Sequence, residues 1–88
     1  MAKVILSDRR ETPVISFGVA TSGYMMIRVE MSMTDAIAFF SSGTDVITYE
    51  DGEENHRYNG FTNLAYVVNE GPMVRVALVR PDDYWEAK

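Results

Sequence analysis

One histidine and one acidic turn are the residues of this chain best placed to do chemistry. His56 follows Glu50-Asp-Gly-Glu-Glu-Asn55, a stretch with four acids in five residues. An imidazole flanked by carboxylates can serve as a general base, because it titrates near neutrality. No second histidine, no cysteine and no Gly-x-Ser-x-Gly elbow accompanies it. A lone loop histidine beside charged neighbours reads more simply as solvated. The turn at Asp51, Glu53 and Glu54 offers oxygen ligands to a hard cation, but it lacks the spacing of an EF-hand loop and its distal bidentate acid. It is expected to be a charged hairpin tip. The glycines stand singly at turns, so no phosphate-cradling loop forms. Paired carboxylates for glycoside chemistry would need a cleft, which nothing in the sequence predicts. The expectation is a protein that is not an enzyme, with no cofactor and no metal.

Composition narrows the class. The chain has 88 residues, 47% apolar, with no cysteine. That length suits a single domain, expected over residues 1–81, with residues 82–88 as a tail. A chain this size buries roughly 60–65% of its unfolded surface, which makes a thin core. Without cysteine there are no disulfides or thiolate metal sites, and an intracellular protein is favoured. No apolar run reaches the ~20 residues that cross a bilayer as a helix, and Met1 to Asp8 lacks a signal-peptide layout. Neither membrane association nor secretion is expected. The net charge of −5, from 13 acids and 8 bases, argues against direct nucleic-acid binding, which needs a basic stripe. Solubility explains the acidity. The sharper alternative is mimicry of a phosphate array against a basic partner.

These residues must be positioned by strands and one helix. Lys3 to Ser7 reads as an edge strand and Asp8 to Thr12 as a polar connection. A strand from Pro13 to Ala20 pairs with Tyr24 to Met31. Met25, Ile27, Val29 and Met31 alternate with Arg28 and Glu30, which fixes the inward face. A three-residue loop, Thr21-Ser-Gly23, sets Val19 opposite Met25, Phe17 opposite Ile27, Ile15 opposite Val29 and Ser16 opposite Arg28. Gly23 supplies the left-handed residue that such loops require. Ser32 to Ser42 is the only predicted helix. Its stripe of Met33, Ala36, Ile37 and Phe40 should lie on the sheet near Ile27, with Phe39 on the flank. Ser32 or Thr34 caps its start, and Gly43 stops it.

The rest reads as an antiparallel meander. Asp45 to Tyr49 leads into the acidic turn, and His56 to Val68 forms a long strand with a bulge preferred over a turn at Asn59-Gly60. Asn69-Glu-Gly71 repeats the Thr21-Ser-Gly23 device, pairing Tyr66 with Val74 and Leu64 with Val76, while Ala65 faces Arg75 outside. Val74, Val76 and Leu78 point inward, and Pro81 ends the last strand. The fold class is α+β: an antiparallel sheet or partly open barrel of about six strands, with one short helix on one face.

Surface for protein contact remains. Tyr24 and Met26 point away from the predicted core face. Tyr84 and Trp85 follow the last strand and either cover the core or pack on a partner. Tyrosine, tryptophan and methionine are enriched where one protein buries another. The first and last strands are expected at the sheet edges, with Tyr84 and Trp85 across a junction between two copies.

The segment Tyr58-Asn-Gly-Phe-Thr62, preceded by the acidic turn and followed by Leu64 to Val68 and Val74 to Val79, resembles short β-rich proteins of tailed phages and prophages. The resemblance implies a phage accessory or virion-associated protein, or a small inhibitor of a host defence, in the host cytoplasm or on the virion. It assigns no site residues. The functional expectation is a protein-interaction module that self-associates or docks on a larger assembly. The alternative is an acidic inhibitor of a defence nuclease, of the anti-CRISPR kind, acting through Asp51, Glu53 and Glu54.

Overall fold

The computed structural model describes residues 2–81. Its strands are β1 (Ala2–Ile5), β2 (Glu11–Pro13), β3 (Ser16–Val19), β4 (Tyr24–Val29), β5 (Val46–Asp51), β6 (Glu54–Asn59), β7 (Asn63–Glu70) and β8 (Met73–Val79), with helix α1 (Met33–Phe40) between β4 and β5. All pairings are antiparallel. They form two four-stranded sheets, ordered β2-β1-β5-β6 and β3-β4-β8-β7. The expected single sheet or partly open barrel of about six strands is thus corrected, among the described residues, to eight strands in two sheets, with no closed barrel. α1 is the single helix among the described residues.

The hairpin of β3 and β4 has the predicted register. Val19 faces Met25, Phe17 faces Ile27 and Ser16 faces Arg28. Gly23 has φ 96°, and Ala20 N donates to Tyr24 O at 2.8 Å across the three-residue loop. The strand before it differs from expectation. Pro13 to Ala20 is not one strand but two, because the chain changes sheets at Val14. Glu11–Pro13 joins β1, and Ser16–Val19 joins β4. Val14 is buried at the crossing, while Ile15, expected inward opposite Val29, is 51% exposed.

A second crossing replaces the bulge expected at Asn59-Gly60. β6 ends at Asn59 in one sheet and β7 begins at Asn63 in the other. Gly60 turns the chain with φ 87°, and its N–H donates to Asp45 O at 2.9 Å. Arg80 Nε holds Asn59 O at 2.9 Å, and its guanidinium lies 4.3 Å above the ring of buried Phe61. The bulge falls instead between Leu64 and Tyr66.

The last hairpin is corrected too. Glu70 pairs with Met73, so its loop is the two residues Gly71 and Pro72. Gly71 has φ 80° at the first loop position, the sign required there by a type II′ turn. Tyr66 therefore pairs with Ala77, Leu64 with Leu78, and Val68 rather than Ala65 with Arg75. Nor are the first and last strands edges. β1 lies between β2 and β5, and β8 between β4 and β7.

The core lies between the sheets. Met25, Ile27, Val29, Val74, Val76 and Leu78 face Val4 and Ile47, with Leu6, Val14, Ala36, Phe40 and Phe61 closing the ends. Each large side chain contributes roughly 1.5–3 kcal/mol by leaving water. The helix, eight residues long, is too short to persist alone. Ser32 Oγ caps it by accepting from Asp35 N at 3.1 Å. It packs beside β7 and β8 rather than over Ile27, through Ala36 and Phe40. Met33 and Ile37, expected in the buried stripe, are exposed.

Candidate interaction surface

The outer face of the β3-β4-β8-β7 sheet gathers the residues best suited to contact another molecule. Because Met25, Ile27 and Val29 of β4 enter the core, strand alternation sends Tyr24, Met26 and Arg28 to the opposite face. On β8 the same logic turns Arg75 and Ala77 outward, since Val74, Val76 and Leu78 are core. The register aligns Gly18, Met26, Ala77 and Tyr66 in one row, and Ser16, Arg28, Arg75 and Val68 in the next.

Side-chain contacts tie these rows together. The rings of Tyr24 and Tyr66 lie 6.5 Å apart, and Tyr66 Oη reaches Met26 Sδ at 3.5 Å. Ala77 is fully buried yet stands outside the inter-sheet cluster, so its outer-face neighbours cover it. Tyr24 and Tyr66 remain 39% and 38% exposed. The result is a raised apolar and aromatic patch on a small-residue floor.

One edge of the patch is charged. Glu70 Oε1 accepts from Arg28 Nε at 3.0 Å, and Glu70 Oε2 lies 3.6 Å from Arg75 Nε. The second distance makes an ion pair but is too long for a hydrogen bond, and Arg75 Nε is buried without an acceptor. Arg28 also donates to Ser16 Oγ at 3.3 Å, and Arg75 lies 5.9 Å from the Tyr66 ring centre. Two guanidiniums share one carboxylate, so this cluster carries net positive charge on an acidic chain.

The acidic turn lies on the other sheet. Asp51 pairs with Glu54 across the two-residue loop Gly52-Glu53, and Asp51, Glu53 and Glu54 are all exposed. Most of its carboxylates have local partners. Tyr49 Oη donates to Asp51 at 3.3 Å, Asn55 Nδ2 donates to Glu50 at 3.3 Å, and His56 Nε2 lies 3.4 Å from Glu54. Burial, followed by the Asp51 carboxylate, pushes the Tyr49 hydroxyl pKa up. Among the described residues no group of three or more His, Cys, Asp or Glu could hold a metal ion.

Tyr24 and Met26 thus come together, apart from the turn at Asp51, Glu53 and Glu54, while Tyr84 and Trp85 lie outside the described residues. Sequence reasoning missed Tyr66, which it turned inward, and the Glu70 link between Arg28 and Arg75. Gly71-Pro72 was the available signal. A two-residue loop there places Tyr66 opposite Ala77 on the outer face. Comparison with family models, with curated proteins and with solved structures finds no match to this chain. Among the described residues no helix is long and apolar enough to cross a membrane.

Proposed function

We propose that this chain is a non-enzymatic protein-interaction module that self-associates or docks on a larger assembly through the outer face of the β3-β4-β8-β7 sheet. The observation that carries it is the joining of Tyr24, Met26 and Tyr66 over Ala77, beside Arg28, Arg75 and Glu70. Aromatic, methionine and arginine side chains around a small floor are the composition of a contact centre. The resemblance to phage accessory proteins supplies the setting: a protein of the host cytoplasm or the virion.

Met26→Lys tests the reading. It places a charge at the centre of the patch while leaving the core side of β4 untouched. Sedimentation at increasing concentration, with and without host lysate, is expected to show association by the native chain and its loss in the variant. A native chain that stays monomeric and captures nothing ends this reading.

A second reading rests on the exposed acids at Asp51, Glu53 and Glu54: an acidic inhibitor of a basic nuclease channel. Asp51 already accepts from Tyr49 Oη and Glu54 already lies beside His56 Nε2, so a partner would have to compete with these local contacts. Binding through such a tip should fall steeply with salt, whereas docking through the apolar patch should not.

A further inference from the structure

The chain's crossing between sheets, just after β2, opens a cleft that the sheet-face reading does not use. Thr12, Pro13, Val14, Ile15 and Glu30 line a cavity of about 310 Å³. Its walls are apolar at Pro13, Val14 and Ile15, and Ile15 is half exposed although nothing in the core requires that. The polar groups are the Thr12 hydroxyl and the Glu30 carboxylate. Thr12 Oγ1 already donates to Pro13 O at 3.3 Å. Glu30 makes no hydrogen bond or ion pair with any described residue. The nearest arginine along the strand, Arg28, is held by Glu70.

A smaller cavity on the same strand shows the contrast. It measures about 170 Å³ and is lined by Ala2, Lys3, Glu11, Thr12 and Pro13. There the carboxylate has its own cation, because Lys3 Nζ lies 3.0 Å from Glu11. Two carboxylates therefore flank the Thr12-Pro13 wall, and among the described residues only Glu11 has a cation beside it. Size decides what the larger cleft can hold. Ligand pockets run from about 300 to 1,000 Å³, so this one sits at the lower limit and suits one long side chain better than a drug-sized molecule.

We infer that this cleft is a socket for a lysine or arginine side chain of a partner protein, with the aliphatic stem against Pro13 and Ile15 and the cationic head on Glu30. Such side chains bury their stems along apolar surface while keeping the charge at a polar group. The inference rests on the reading of this chain as an interaction module and names one side chain that its partner presents.

The test is a heteronuclear NMR titration of the ¹⁵N-labelled full chain, dilute and at low salt. The two probes are Nα-acetyl-lysine methylamide and its norleucine counterpart, which keeps the stem and lacks the charge. The lysine probe is expected to shift the amides of Thr12, Val14, Ile15 and Glu30 in a saturating manner. The norleucine probe should bind roughly threefold or more weakly, the scale of a half-exposed ion pair. Glu30→Gln should bring the lysine probe down to that level with the remaining spectrum unchanged. Ile15→Ser should weaken both probes. Equal binding of the two probes, or no effect of Glu30→Gln, overturns the inference. So does a lysine response centred on Asp51 to Glu54, which would mark diffuse attraction to an acidic chain. The two readings fail separately. A chain that associates through the Met26 face yet ignores the lysine probe loses only the cleft, and a chain that binds the probe yet stays monomeric loses only the face.

Discussion

At the scale of single residues, glycines and one aspartate hold the turns. Gly23 sits at φ 96°, which a β-branched side chain resists, so Gly23→Val is expected to destabilise by more than about 1 kcal/mol. Thermal unfolding checks this, and an unchanged midpoint would contradict it. Gly43 is tighter still. Its φ is 75°, and a Cβ there would meet Asp8 Oδ2 at 2.7 Å. That close approach locks the β1–β2 loop to the end of the helix, where Gly43 O accepts from Ser7 N and from Ser7 Oγ. Asp8 in turn accepts from Arg10 N at 3.1 Å and from Arg10 Nε at 2.7 Å. The Arg10 backbone N–H, before its side chain, holds the Asp8 carboxyl below the ordinary aspartate range. The folded pKa is depressed, so the unfolded chain binds the proton more readily between the two values. The stabilising contribution is present above the ordinary aspartate value and is lost as pH falls through the folded one. Denaturant unfolding at a series of acid pH values should show a shallower loss of stability for Asp8→Asn than for the native chain.

At the scale of elements, alternation could be read from sequence and crossings could not. The β3–β4 register follows from two facts in the same stretch: Met25, Ile27 and Val29 alternate with Arg28, which rejects a two-residue loop, and Gly23 supplies the left-handed residue that ends a three-residue one. Both point to one pairing, and the fold has it. The Pro13–Ala20 and His56–Val68 segments failed for one reason. A strand that leaves one sheet and enters another keeps its β-forming residues, and the change of partner is set by distant chain. Val14 and Phe61 are buried at these crossings, yet as apolar residues in extended segments they carry no local mark of it. The candidate face was half legible. Tyr24 and Met26 were read from alternation, and Tyr66 was lost with the Gly71 loop. The helix shows the same limit, because periodicity marks an apolar stripe without saying how much of it is covered. Phe40→Ala is expected to cost about 3–5 kcal/mol, since Phe40 is almost wholly buried. Ile37→Glu should stay within about 0.5 kcal/mol of the native chain, because Ile37 is exposed. Paired denaturant titrations separate the two, and a large loss for Ile37→Glu would show that its exposed face is covered in solution.

At the scale of the whole molecule, two open sheets leave four edges: β2, β6, β3 and β7. Exposed edges invite further strands unless they are blunted. β2 is three residues long and carries Pro13, which lacks an N–H. β6 carries Arg57, and its Asn59 carbonyl is taken by Arg80. β7 is bulged between Leu64 and Tyr66, and α1 packs beside it. β3, Ser-Phe-Gly-Val, has no charge, no proline and no bulge. The Ala20–Tyr24 hydrogen bond sets its phase: Gly18 and Ser16 bond to β4, and Phe17 and Val19 turn their N–H and C=O toward the free side. Among the described residues only its length of four residues guards it. Val19 is 40% exposed, so a charge there meets solvent at little cost to the core. Val19→Lys is therefore expected to lower light scattering of concentrated solutions on storage while leaving the unfolding midpoint within about 0.5 kcal/mol of native. The same substitution should leave association through the Met26 face intact, because that contact uses the outer side chains of β4, β7 and β8 rather than the free backbone of β3. If Val19→Lys abolishes a defined oligomer as well, the copies join by adding strand to strand at β3, and the sheet face is not where they meet.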